Sequence, residues 1–485
     1  MKEEKNNKNN VISSLFWKFA ERIGAQGVNL IVSIILARIL APEEYGIVAL
    51  VTIFITISNV FIESGFGTAL IQKKDADNLD FSSVFYCNIV ISIILYLIIF
   101  FASPLIAKFY NMQLLIPILR VLAISVLIAS VKSVQHAYVS RNMMFKKFFA
   151  STLIGTLVSA VIGIWMAYKG YGVWALVTQQ LLNTIIDTIV LWITVKWRPI
   201  LKFSLERLKC LFKFGWKMLC SGLMDTIYNE LYGLAIGKIY SADQLAFYNR
   251  ANQFPKLITV NIDGSISSVM LPALSNEQDN KEKLKNMVRR AIKTSSFLLF
   301  PMMIGLAVVA EPLVKIILTD KWLPAVPLLQ LLCFSYALWP IHTINLQAIS
   351  ALGRSDIFLK LEIIKKAIGI IALLISCPFG IMIMVIMKIV TSIISMFINS
   401  YPNKKLLNYS LREQIKDIFP AMLLSLFMGM VVYLVGLIKI NIIVLLLIQV
   451  LIGIIIYLTI AYLSKMEALM YFINKIKIRM KKVEG

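Results

Sequence analysis

Four stretches of this 485-residue chain carry polar side chains at helical spacing inside otherwise apolar sequence. Lys18, Arg22, Gln26, Asn29 and Ser33 lie three or four residues apart, which sets them on one face of a helix. Thr52, Thr56, Asn59 and Glu63 repeat the pattern. So do Lys217, Ser221, Asp225, Tyr228 and Tyr232, and then Asn252, Lys256, Thr259, Asp263 and Ser267. The side-chain types define what such faces can do. Lys18, Arg22, Lys217 and Lys256 are donors for charge-assisted hydrogen bonds to an anion. Gln26, Asn29, Asn59 and Asp225 add further polar contacts, and Tyr228 and Tyr232 offer ring faces and hydroxyls. Glu63 and Asp263 are groups at which a proton or a sodium ion can be exchanged. A further pair of segments supplies Gln180, Asn183 and Asp187, matched about 208 residues on by Lys388, Thr391 and Ser395. Asp187 and Lys388 therefore join Glu63 and Asp263 as candidate ion-coupling residues.

Each of these residues also has a purely structural reading. Ser, Thr and Asn hydrogen-bond between packed helices. Lys18 and Lys217, near the ends of their segments, can snorkel to the surface, and so can Arg120 and Lys132. Asp187 and Lys388 either pair with one another across two halves of the chain or are satisfied locally. The acids Glu63, Asp225, Glu230 and Asp263 weigh toward function, because a charge in hydrocarbon costs roughly 2.5–3.5 kcal/mol unless it faces protein or water.

The elements that position these faces are membrane helices. The chain is 59% hydrophobic and only 15% charged, which excludes an ordinary soluble enzyme, a disordered chain and a disulfide-stapled secreted domain. About fourteen segments approach the 20 or so apolar residues that a span needs, the first at 13–37 and the last at 442–463. The first, seventh and eighth (13–37, 215–237 and 251–274) are polar enough to escape a hydropathy window. With the N-terminus in the cytoplasm, roughly four times as many Lys and Arg fall on the cytoplasmic side as outside. That asymmetry absorbs most of the net charge of +23 and removes the need for a nucleic-acid partner. Both termini are then cytoplasmic. Segments 198–213 and 466–482 mix basic and large apolar residues and read as amphipathic surface helices against anionic lipid.

The chain also repeats itself at about 200 residues. Ala37-Arg38-Ile39-Leu40-Ala41-Pro42-Glu43-Glu44 is echoed by Gly237-Lys238-Ile239-Tyr240-Ser241-Ala242-Asp243-Gln244, Ser103-Pro104-Leu105-Ile106 by Glu311-Pro312-Leu313-Val314, and Tyr171-Gly172-Val173 by Phe379-Gly380-Ile381. The expected organisation is a six-helix lobe over 1–197, an interfacial linker over 198–213, a second six-helix lobe over 214–400, and two extra helices with a basic tail over 401–485. Lobes of six spans both start inside, so the repeats are parallel, and such lobes enclose a substrate path between them.

Catalytic and cofactor motifs are missing. The sequence has no GxxxxGK[ST], HExxH or GxSxG and no Cys/His cluster with metal spacing, so no cofactor or metal is expected. Asp75-Ala76-Asp77 has the form of a glycosyltransferase metal pair but stands alone on a short loop.

The chain resembles the polysaccharide-transport (Wzx-type) branch of the multidrug/oligosaccharidyl-lipid/polysaccharide (MOP) flippase superfamily, the O-antigen, colanic-acid and teichuronic-acid exporter group. The residues that carry the likeness are Ala37 to Gly46, Glu63-Ser64-Gly65-Phe66-Gly67-Thr68-Ala69-Leu70-Ile71-Gln72, Tyr248-Asn249-Arg250-Ala251, Leu271-Pro272-Ala273-Leu274-Ser275, and Ala310-Glu311-Pro312-Leu313 with Trp322. The resemblance implies an all-α, MATE-like fold of about fourteen transmembrane helices. It implies a non-enzymatic flippase that moves polyprenyl-diphosphate-linked oligosaccharide repeat units from the cytoplasmic to the outer leaflet by alternating access. Its implied setting is the cytoplasmic membrane, with a polysaccharide polymerase and glycosyltransferases as partners. An ion-coupled multidrug exporter of the same fold is the rival. A membrane glycosyltransferase or polymerase is disfavoured, since the longest outside loop is short.

Overall fold

The computed structural model describes residue 24 and residues 26–481. Lys18 and Arg22 lie outside the described residues. Regular structure among the described residues is helical throughout. The helices are α1 (Gln26–Ile39), α2 (Pro42–Glu63), α3 (Phe66–Gln72), α4 (Asn78–Tyr110), α5 (Leu115–Leu122), α6 (Ile124–Arg141), α7 (Phe145–Tyr168), α8 (Val173–Thr194), α9 (Leu205–Ile239) and α10 (Ala242–Ser275). They continue with α11 (Lys281–Val308), α12 (Ala310–Leu318), α13 (Ala325–Ala337), α14 (Trp339–Ala351), α15 (Ser355–Ser376), α16 (Ile381–Leu407), α17 (Leu411–Gly436), α18 (Ile442–Leu463) and α19 (Glu467–Lys481).

Eleven spans among the described residues are long and apolar enough to cross a membrane, with α2–α3, α5–α6 and α13–α14 each forming one. The chain is a multi-pass membrane protein. Of the fourteen expected segments, α9 and α15 fall short of that standard, and the first, 13–37, lies partly outside the described residues. Polar Lys217, Asp225 and Glu230 dilute α9, and Lys360, Glu362, Lys365 and Lys366 charge the first half of α15. Contrary to expectation, the eighth segment, α10, passes the hydropathy window.

Local chemistry explains several boundaries. Gly172 and Gly380 each precede a long helix, α8 and α16, at φ of 56° and 103°. Glycine adopts such positive angles with least strain, so both echoed Gly positions serve as a helix entry at positive φ. The third broken span restarts at α14 with Pro340 in its first turn, where a missing N–H costs nothing. The N-cap of α4 is Asp77, whose carboxylate accepts from the Asp80 amide at 2.9 Å while Asp80 accepts from the Asp77 amide at 3.1 Å. The Asp80 amide, first of all, holds the Asp77 carboxyl below the usual carboxylate range. Asp80 is buried and bonded to Lys73 at 2.7 Å, with Arg207 at 3.6 Å. Asp77 is thus a helix cap, which corrects the metal-pair look of Asp75-Ala76-Asp77.

The chain divides into two compact units, Met1–Ala246 and Phe247–Gly485. The first contains α1 to α9. Its core joins Phe66, Phe81, Phe85, Leu191 and Trp197 to Leu208 and Leu211 of α9. The segment 198–213, expected as a separate surface helix, is therefore an extended stretch that runs straight into α9 at Leu205. Its apolar residues at 208 and 211 pack against protein rather than lipid. In the second unit, Phe297, Leu424, Met428, Val432 and Tyr457 form a core. Tail residues Ala468, Leu469 and Phe472 of α19 pack on that core, so part of the tail's apolar face is also buried on protein.

Candidate functional site

In the first unit, the ends of α2, α4, α6 and α8 bring a charged cluster together. Trp192 of α8 donates to the Val131 carbonyl at 3.3 Å, and Gln135 of α6 donates to the Trp197 carbonyl at 3.0 Å. These bonds hold α6 against α8 so that Lys132 Nζ donates to Asp187 Oδ2 at 2.5 Å. The Asp187 side chain is 11% exposed and that of Lys132 28%. Lys132 therefore does not snorkel. An ammonium beside a carboxylate neutralises two charges that the apolar helices would otherwise reject. The same contact gives Asp187 a local partner, so its pairing with Lys388 is not needed. Asp187 Oδ1 is buried without a hydrogen-bond partner, as is Asn59 Oδ1. Glu63, one turn beyond Asn59, lies within the field of Lys132 and is exposed. Beneath this cluster, Asn88 of α4 donates to Ser133 Oγ at 2.9 Å, and Ser92 to Ser130 Oγ at 3.0 Å. Arg120 also does not snorkel: it donates to Ser103 Oγ at 3.1 Å and lies 4.1 Å from the centroid of the Phe100 ring.

In the second unit, α10, α13, α14 and α16 build a different arrangement. Lys388 Nζ donates to the Tyr248 hydroxyl at 2.9 Å. It lies 5.4 Å from the centroid of the Tyr248 ring and 6.0 Å from that of Tyr336. Tyr336 donates to Asn252 Oδ1 at 2.9 Å and stacks on Trp339 at 5.7 Å. The Asp263 carboxylate lies near Trp339 and Thr343, with its Oδ1 buried and without a hydrogen-bond partner. His342 contacts Ser392 Oγ at 3.2 Å. Lys388, Tyr248, Tyr336, Asn252 and Trp339 thus form one group, with Asp263 near its Trp339 side.

Asn29 of α1, Lys217 and Asp225 of α9 and Lys256 of α10 are exposed. Gln26 and Tyr228 are half-buried, and Tyr232 is buried. Sequence reasoning missed Lys132, Tyr248, Tyr336 and Trp339. The signal for Lys132 was available, because an intramembrane lysine calls for an acidic partner on a neighbouring helix. The aromatic residues carried no such signal, since rings are common in apolar helices. Also missed is a buried amide network among α14, α16 and α17. There Asn403 donates to Asn345 Oδ1 at 2.6 Å, Gln414 donates to the same oxygen at 3.1 Å, and Ser400 donates to Gln414 Oε1 at 3.0 Å.

Chemically, the first cluster presents a carboxylate oxygen beside an ammonium and a second carboxyl, a setting in which a proton or a cation can change hands. The second cluster presents a cation and a carboxylate set among aromatic rings and hydroxyls.

A family model described as "Polysaccharide biosynthesis protein" matches residues 35–327. The succinoglycan biosynthesis transport protein ExoT of Rhizobium meliloti (strain 1021) is 26% identical over 330 residues, 68% of this chain and 67% of that protein. The lipopolysaccharide biosynthesis protein WzxC of Escherichia coli (strain K12) is 24% identical over 439 residues, 88% of each chain. The teichuronic acid biosynthesis protein TuaB of Bacillus subtilis (strain 168) is 26% identical over 302 residues, 62% of each. Among solved structures, the lipid II flippase MurJ in an inward closed conformation superposes with a TM-score of 0.76 at 18% identity, covering 93% of this chain and 98% of that one. A multidrug-resistance MATE transporter of the MOP superfamily, inward-facing, superposes with a TM-score of 0.61 at 19% identity, covering 79% and 95%. The fold is MATE-like.

Proposed function

Because this chain belongs to the polysaccharide biosynthesis protein family, within the MOP flippase superfamily, we propose that it is a flippase for polyprenyl-diphosphate-linked oligosaccharide repeat units. It moves them from the cytoplasmic to the outer leaflet, supplying surface polysaccharide synthesis. The observation that carries this reading is the family match over residues 35–327. Its setting is the cytoplasmic membrane with both termini inside, and its working partners are a polysaccharide polymerase and glycosyltransferases.

The physics suits this cargo. Sugars and a diphosphate cannot cross hydrocarbon unaided, whereas the polyprenyl tail can stay in it. Alternating access is rocking of one six-helix lobe against the other, with the helices of 401–485 alongside. Lys18, Arg22, Lys217 and Lys256 meet the diphosphate through charge-assisted hydrogen bonds. Gln26, Asn29, Asn59, Asp225, Tyr228 and Tyr232 contact the glycan. Glu63, Asp187, Asp263 and Lys388 couple the movement to an ion. An inside-negative potential favours outward movement of an anion by about 2.3 kcal/mol per charge per 100 mV.

The test is export of surface polysaccharide in a strain lacking its own flippase. Arg22→Ala and Lys217→Ala are expected to lose export at normal protein levels. Full export by both would overturn the assignment of the diphosphate site, and failure of the unaltered chain to restore export across a panel of glycan types would overturn the function.

A further inference from the structure

A groove of about 760 Å³ lies in the second unit between α11, α17, α18 and the start of α19. Its size falls within the roughly 300–1,000 Å³ of pockets that hold small molecules. Phe297, Leu424, Phe427 and Ile460 line its body. Leu423 and Phe427 are 55% and 50% exposed, so the groove opens sideways along its apolar length. Its other end is polar, lined by Lys293, Asp417, Ser464 and Glu467. Asp417 stands near the start of α17, while Ser464 and Glu467 follow the end of α18, so these groups share one end of that helical hairpin. Phe427 lies ten residues along α17 from Asp417, about 15 Å at 1.5 Å per residue. That depth equals one leaflet of a hydrocarbon core about 30 Å thick.

The charges at the mouth are organised. Arg289 donates twice to Asp417, at 2.7 and 2.8 Å, and the Tyr409 hydroxyl donates to it at 2.9 Å. Lys293 stands 3.3 Å from Asp417 and 2.5 Å from Glu467. Asp417 is 4% exposed, whereas Glu467 is 65% exposed and reachable. We propose that this groove binds a zwitterionic, ethanolamine-headed phospholipid, its acyl chain along Phe297 and Leu424, its phosphate at Lys293 and its ammonium at Glu467. A diphosphate headgroup fits poorly, because it brings more negative charge to Asp417 and Glu467 and no ammonium to pair with Glu467. The site is therefore separate from the path proposed for the glycan, and none of its residues is assigned to that path.

The experiment is native mass spectrometry of the full chain in detergent, titrated separately with phosphatidylethanolamine, phosphatidylglycerol and undecaprenyl diphosphate. One phosphatidylethanolamine is expected to bind at least tenfold more tightly than either other lipid. Glu467→Gln is expected to reduce that preference at least threefold, and Leu423→Trp, at the half-exposed rim, to weaken binding of the phospholipid at least tenfold. Equal or tighter binding of phosphatidylglycerol or undecaprenyl diphosphate overturns the proposal. So does an unchanged preference in Glu467→Gln, which alters an exposed side chain and decides the matter even if Leu423→Trp does not fold.

Discussion

Both units place a lysine within helices apolar enough to cross a membrane, and they satisfy it differently. Lys132 of the first unit meets the carboxylate of Asp187 at 2.5 Å. Lys388 of the second meets the Tyr248 phenol hydroxyl at 2.9 Å, with the Tyr336 ring centroid at 6.0 Å. The first solution is an ion pair, which loses its balance entirely if either member goes. The second distributes the cation over dipoles and ring quadrupoles, each weaker and each replaceable. The lesson is that two intramembrane lysines of one chain need not share an electrostatic design. The first is held by a carboxylate, and the second by a hydroxyl in an aromatic setting.

The sharpest way to break this comparison is to remove one member of the pair. Asp187→Leu leaves Lys132 buried beside apolar helices and is expected to destabilise the protein by about 3–5 kcal/mol. The double change Lys132→Met with Asp187→Leu is expected to recover most of that loss, because two apolar residues replace two charges. Thermal unfolding of the purified protein in detergent measures both. A double variant as unstable as the single one would show that Asp187 contributes through contacts other than the pair.

The second expected effect concerns polar networks that carry no net charge. In the second unit, Asn403→Leu removes one of the two donors to Asn345 Oδ1, at 2.6 Å, and leaves Gln414 as the other, at 3.1 Å. The expected cost is about 1–3 kcal/mol. In the first unit, Asn88→Leu strands Ser133, whose hydroxyl retains its own bond to the Ser130 carbonyl at 3.0 Å. The cost there should sit at the lower end, about 1 kcal/mol. The same unfolding assay ranks the two, and a reversed order would mean that the amide network of the second unit is not cooperative.

Much of the fold could be read from residues. Hydropathy located the spans, and Gly172 and Gly380 marked equivalent turns before α8 and α16 because their left-handed backbone admits little else. The route of 198–213 could not be read, since an amphipathic pattern describes a buried face as well as a lipid-bound one, and only packing shows that Leu208 and Leu211 enter the core. The site was half legible. Charged residues inside apolar segments announced Glu63, Asp187, Asp263 and Lys388, but periodicity gives a helix face and not the neighbour it meets. Lys132 was misread for that reason, and Tyr248, Tyr336 and Trp339 were invisible because nothing in an aromatic residue says whether its ring faces lipid or a cation.

The smallest expected effect tests the second design directly. Tyr248→Phe keeps the ring near Lys388 and deletes the hydroxyl, so only one neutral acceptor is lost. The stability change should be about 0.5–1.5 kcal/mol, well below that of Asp187→Leu. Tyr248→Leu also deletes the ring and is expected to cost more than Tyr248→Phe. Lys388→Met removes the cation itself and leaves the Tyr248 and Tyr336 rings in place. It is therefore expected to fold with little penalty while losing polysaccharide export in the complementation assay. That separation of stability from transport is the mark of a lysine kept for ion coupling. A Lys388→Met protein that unfolds as readily as Asp187→Leu would place both lysines in the same structural role and erase the distinction between the two units.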